Sequence, residues 1–151
     1  MTKQRWLSLL LLWVASLPSA VQAKQFAIIA AKANATSNLT TTELVKIING
    51  HGRSWPDGRP ITIVMRDPST GDMELVLRKL FNMSPEQAHV FLQAHRDAIV
   101  VAQSDDAVLR FVSTSPGALG VVNLYSLTQD VKVLKIDGKL PVEQGYLLRG
   151  N

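Results

Sequence analysis

The chain contains no cysteine. Structural disulfides, thiolate catalysis and lipid attachment through a cysteine are therefore excluded. A strong charge of either sign is also missing. The 151-residue chain has a formal net charge of +4, and its first 23 residues hold Lys3 and Arg5 but no acid, so the remainder carries only +2. So mild a balance argues against nucleic acid or an anionic membrane surface as partner. Internal repeats, low-complexity tracts and linkers are absent. Histidine occurs at positions 51, 89 and 95. On a helix His89 and His95 would face rather different ways, and no zinc-ligand spacing occurs among the three. The sequence offers neither a metal site nor a cofactor motif.

What is present begins with a leader. Lys3 and Arg5 precede an apolar run from Trp6 to Leu17, and Val21-Gln22-Ala23 has the small-x-small form of a signal-peptidase site. A bilayer needs about 20 apolar residues, which this run does not supply. Residues 1–23 are therefore expected to be a cleaved signal peptide that exports the chain, rather than an uncleaved anchor. Cleavage leaves residues 24–151, a length that suits one domain. Such a chain can bury roughly two thirds of its unfolded surface, enough for a core without covalent staples. The sequons at Asn34, Asn38 and Asn82 matter only in a host that glycosylates them.

Continuous apolar runs at 25–31, 61–65, 98–102 and 118–122 predict buried strands, and 131–136 predicts another. Between them lie helical patterns. Leu44, Ile47 and Ile48 share one face, and Thr40 with Glu43 has capping-box spacing. Ser69 or Thr70 is placed to cap a helix carrying Val76, Leu77, Leu80 and Phe81. Ser84, Pro85 and Gln87 form a second capping box with proline at the first helical position. Ser104 to Ser115 predicts a further helix with Ala107, Val108, Phe111 and Val112 inward. Strands alternating with helices give an α/β fold, a three-layer domain with a parallel or mixed sheet.

Ligands in such sheets sit beyond the carboxyl ends of strands, beside helix N-termini. The loop "RDPSTGD" at 66–72 occupies that position. Helix N-termini expose unpaired N–H groups carrying partial positive charge. Ser69 and Thr70 add hydroxyls, Gly71 admits close backbone approach, and Arg66 offers planar donors matched to phosphate or carboxylate oxygens. The same residues also describe an ordinary capped helix with a basic neighbour. The sequence leaves both readings open.

Four segments, in order, resemble the phosphate-binding-protein-like domain family, whose best-known members are periplasmic substrate-binding proteins of phosphate ABC transporters. They are "LTTTELVKIINGHGRSWPDGRPI", "RDPSTGD", "SDDAVLRFVSTSPGALGVV" and "VKVLKIDG". The resemblance spans about Phe26 to Gly138. It implies one lobe of a type II periplasmic binding protein, with Arg66, Ser69, Thr70 and Gly71 as oxyanion ligands and phosphate as the first candidate. It also implies an ABC permease or other envelope protein as partner. A partner chain or a homodimer would supply the second wall of the cleft. Asp72 stands where the family has threonine, and Pro68 lacks a backbone donor. The alternative is a protein-interaction module with a vestigial anion pocket.

The remaining candidates read as structure. Pro116, Gly117 and Gly120 fit a tight turn and close strand packing. Trp55 is expected to fold back as a lid on a helix. Asp105 and Asp106 fit capping and dipole compensation at a helix start. No serine has a histidine and acid framework around it in the sequence, and the chain is not read as an enzyme.

Overall fold

A computed structural model describes residues 24–150 of the chain; the expected leader at 1–23 lies outside the described residues. Its elements are β1 (Phe26–Ala31), β2 (Asn38–Leu39), α1 (Thr41–Ile48), β3 (Thr62–Arg66), a 3₁₀ turn (Gly71–Met73), α2 (Glu74–Val76), a π turn (Leu77–Phe81), α3 (Pro85–Ala94), β4 (Ile99–Ala102), α4 (Asp105–Thr114), β5 (Ala118–Asn123), a second 3₁₀ turn (Leu124–Ser126), β6 (Val131–Val133) and β7 (Lys135–Ile136).

Five strands form one sheet in the order β4-β3-β5-β1-β6. β3 pairs in parallel with β4 and β5, whereas β1 runs antiparallel to β5 and β6. The sheet is thus mixed. The strands β1 and β5 are nearly continuous runs of buried residues, as a sheet covered on both faces requires. Ile28, Ile63, Met65, Leu119 and Val121 point to a core closed by Leu44, Ile48, Val76, Leu80 and Leu92 of the helical segments between 41 and 94. Ile29, Val64 and Val122 point the other way, onto Val108 and Val112 of α4. These faces make three layers. Gly120 is required at the second contact, because a Cβ there would stand 2.7 Å from Val112 and 2.8 Å from Ile29.

Two expectations need correction. The run 131–136 is not one strand. After β6 the chain leaves the large sheet, and β7 pairs in parallel with the two-residue strand β2. The second correction concerns the helix after β3. It changes winding from 3₁₀ to α to π within 71–81. Asn82, in left-handed conformation, closes it by donating to the Leu77 carbonyl at 2.9 Å.

Trp55 is buried, and its indole Nε1 donates to the Gly117 carbonyl at 3.1 Å. That bond ties the loop after α1 to the turn before β5. Gly117 itself lies so close to the Pro60 carbonyl that a Cβ would sit 2.7 Å from it. These contacts give the tryptophan and the Pro-Gly turn a packing role.

Candidate functional site

β3, β4 and β5 run in one direction, so their carboxyl ends meet at one edge of the sheet. Arg66 closes β3 there, Asp105 opens α4, and Asn123 closes β5. Arg66 Nε donates to Asp105 Oδ1 at 2.8 Å. The second oxygen of Asp105 accepts from the Asn123 N–H at 3.2 Å and the Ser126 hydroxyl at 2.8 Å. Both side chains are mostly shielded, with 23% and 13% of their surfaces exposed. Arg66 Nη1 also lies 3.8 Å from Asp72 Oδ2, but the Asp72 side chain is 75% exposed. An exposed pair at that distance contributes about 0–1 kcal/mol. A close, shielded pair with further hydrogen bonds holds its geometry far more firmly. Asp105, not Asp72, therefore sets the arginine. Asp72 is shared, since Lys24 Nζ lies 3.3 Å from its Oδ1.

The expected serine or threonine cap is not made. Thr70 occupies the N-cap position of the 3₁₀ turn, yet no side chain there accepts from the first N–H groups. Asp67 captures the hydroxyls instead. Its Oδ1 accepts from Ser69 N–H at 2.9 Å and Ser69 Oγ at 2.7 Å, and its carbonyl accepts from Thr70 Oγ1 at 2.8 Å. Such local bonds compete with capping.

Ser69, Thr70 and Gly71 come together as walls of a cavity of about 480 Å³, completed by Glu74, Leu77, Arg78, Asn82, Met83 and Pro85. Arg66 is not among these walls. It lines a neighbouring, more open cavity of about 610 Å³ with Gln103, Ser104, Asp105, Asp106, Asn123, Tyr125 and Ser126. The four expected ligands thus flank one helix start from two sides. The sequence reading missed two residues. Arg78 brings a second guanidinium to the serine–threonine side, and among the described residues it forms no ion pair. Asp105 positions Arg66 across 39 residues of chain. Its place in the first turn of α4 gave only a capping signal. In the event Ser104 alone supplies that cap, its hydroxyl accepting from the Ala107 N–H.

Among the described residues, no group of three or more histidine, aspartate or glutamate side chains could hold a metal ion. The same residues contain no helix long and apolar enough to cross a membrane.

No family model matches the chain. It is 28% identical over 121 residues to the phosphate-binding protein PstS of Borreliella burgdorferi, an alignment covering 72% of this chain and 41% of that protein. It is 35% identical over 79 residues to phosphate-binding protein PstS 2 of Streptococcus agalactiae, covering 52% and 27%. Solved structures agree in fold. An ABC-type phosphate transport receptor from Vibrio cholerae superposes with a TM-score of 0.70 at 20% identity, over 85% of this chain and 55% of that one. PstS from Borrelia burgdorferi gives 0.68 at 22%, over 86% and 56%. The chain spans less than half the length of the curated relatives it matches. In sequence it resembles phosphate-binding proteins, and its α/β fold is that of about half of such a protein.

Proposed function

We propose that this chain is an exported solute-binding domain that binds a small oxyanion, phosphate first, at the helix start after β3. The uncapped 3₁₀ turn carries this reading. The N–H groups of its first residues have no side-chain acceptor, although hydroxyl residues stand directly before them. Gly71 and the following backbone would donate to the anion. Ser69 and Thr70, whose protons now go to Asp67, would turn to it. Arg66 would neutralise its charge, with Asp105 as the brace. The leader at 1–23 would bring the domain at 24–151 to the periplasm. Delivery to an ABC permease fits the relatives named as PstS and as a phosphate transport receptor.

Affinity follows from how much of a cleft is present. If a complete two-walled cleft binds near micromolar, roughly −8 kcal/mol, half the contacts leave roughly −4, or about millimolar. A second wall from a partner chain or a homodimer would restore the rest.

A specific observation favours a second reading. Asp67, Asp72 and Asp105 contact the loop residues or Arg66 and Glu74 lines the serine–threonine cavity, against Arg66, Lys24 and Arg78 as bases. A domain kept for docking an envelope protein could tolerate that excess of acid, whereas an anion site is weakened by it. Thermal unfolding with phosphate and with sulfate separates the two. A binder gains about 2.7 kcal/mol at a hundredfold excess of ligand over its dissociation constant. A docking module gains nothing at any concentration of either anion.

A further inference from the structure

The two edges of the large sheet are built differently. β6, at one edge, carries Lys132 at its centre, and that lysine donates to the Asn34 carbonyl. A charged residue within an edge strand discourages pairing with another strand. β4, at the other edge, reads Ile-Val-Val-Ala. It has no charge, proline or glycine, and among the described residues no strand pairs with its outer side.

The backbone of β4 can be sorted by direction. The Ile63 N–H donates to the Ala98 carbonyl at 2.9 Å. In the parallel register of Ile63 with Ile99 and Met65 with Val101, the ladder groups of Val100 and Ala102 therefore face β3. Those of Ile99 and Val101 face outward, since successive residues of a strand alternate. Ile99 N–H is already taken by the His95 carbonyl at 2.9 Å. Val101 thus presents both a donor and an acceptor at the bare edge, and its side chain is exposed as well, at 43% of the residue surface.

We propose that β4 is a homodimer edge, on which a second copy of this chain pairs antiparallel about a two-fold axis at Val101. In an antiparallel pair, two residues facing each other exchange both N–H···O bonds. A two-fold axis at Val101 makes that pair from Val101 of each copy. The Ile99 carbonyl of each copy then meets the Gln103 N–H of the other. Charge complements the register. Arg96, in the turn before β4, and Asp106, in the first turn of α4, each lie five residues from Val101 along the sequence, and both are exposed, as is Asp97 beside Arg96. Among the described residues neither Arg96 nor Asp106 forms an ion pair. The two-fold brings Arg96 of each copy towards Asp106 of the other, twice per dimer. Parallel pairing would instead set arginine beside arginine and aspartate beside aspartate. A second copy is therefore the occupant that this edge, with its reversed charges at the two ends, fits by its own symmetry.

The arrangement has a consequence for the anion site, although it does not depend on that reading. Antiparallel β4 strands send the Arg66 ends of the two sheets in opposite directions. Gln103 and Asp106, which meet the second copy in this dimer, also line the Arg66 cavity, so the dimer borders that side of the anion site.

Sedimentation velocity of the chain from Lys24 to Asn151, run from about 1 to 500 μM, tests the proposal. A four-residue edge is at the weak end of interfaces, so a dissociation constant of about 100 μM is expected. Val101→Lys should weaken association at least about tenfold, with melting temperature and circular dichroism unchanged, because the side chain is already exposed. Arg96→Asp should weaken it as well. Adding Asp106→Arg should return it to within about threefold of the parent. A parent that stays monomeric to 500 μM overturns the proposal. So does a dimer indifferent to Val101→Lys, or a double reversal that fails to recover.

Discussion

Two helix starts in this molecule show the same kind of sequence and opposite physics. At α3, Ser84 accepts from the Gln87 N–H, and Gln87 answers by accepting from the Ser84 N–H. α1 repeats this with Thr40 and Glu43. In each, the N–H groups of the N-cap and of the third helical residue are satisfied by side chains. After β3, the hydroxyls of Ser69 and Thr70 are bound to Asp67, and the helix begins uncapped. The winding there is uneven as well, passing through 3₁₀, α and π turns. Such irregularity often marks functional segments. A capped end stabilises the fold, while an open end at a strand's carboxyl edge leaves donors for an anion.

The comparison can be broken by substitution. The largest effect is expected at Arg66. Removing a charge-assisted donor costs about 1.5–3 kcal/mol, so Arg66→Ala should weaken phosphate binding by about ten- to a hundredfold. Calorimetric titration checks this, and an unchanged isotherm would count against the site. Asp105→Asn should produce a smaller loss of the same kind while leaving the arginine in place. Next come the caps. Ser84→Ala should cost about 1 kcal/mol of stability in urea unfolding and leave phosphate binding untouched. Thr70→Ala should do the reverse, weakening phosphate more than it weakens the fold. Equal stability losses at the two positions would erase the distinction.

Asp72 offers a gain. Asp72→Thr removes a negative charge beside the open amides, and phosphate affinity should rise by up to about fivefold, the scale of one exposed charge contact. The smallest expected effect concerns pH. The backbone N–H and hydroxyl of Thr40 hold the Glu43 carboxyl below its usual range. A carboxyl whose folded value is depressed contributes stability above its unfolded value, and that contribution is lost as pH falls through the folded one. Glu43→Gln keeps the box but cannot titrate, so its acid limb in a stability-versus-pH series should be slightly flatter than the parent's.

Much of this architecture was legible because its signals are local. The apolar runs at 25–31, 61–65, 98–102 and 118–122 meet the observed strands to within a residue or two, since a doubly covered sheet needs uninterrupted apolar sequence. The two capping boxes read directly, because each is closed within three residues. Trp55 was rightly read as folded back. What escaped was non-local or competitive. Lys135–Ile136 pairs with Asn38–Leu39 across most of the chain, and two-residue strands have no periodicity to read. Asp67 outcompeted the helix for the hydroxyls of Ser69 and Thr70, a contest that residue types alone do not decide. The Arg66–Asp105 pair depends on the parallel register of β3 and β4. Arg78 lines the serine–threonine cavity from the π turn, together with Glu74 four residues before it.

The most direct test is a phosphate titration followed amide by amide in ¹H–¹⁵N correlation spectra. Gly71 and Asp72 should move together and saturably, with Ser69 and Thr70 following, while the capped amides of Glu43 and Gln87 stay still. If Gly71 and Asp72 remain in place as phosphate rises to tens of millimolar, or move no more than Glu43 and Gln87, the open helix start does not receive an anion.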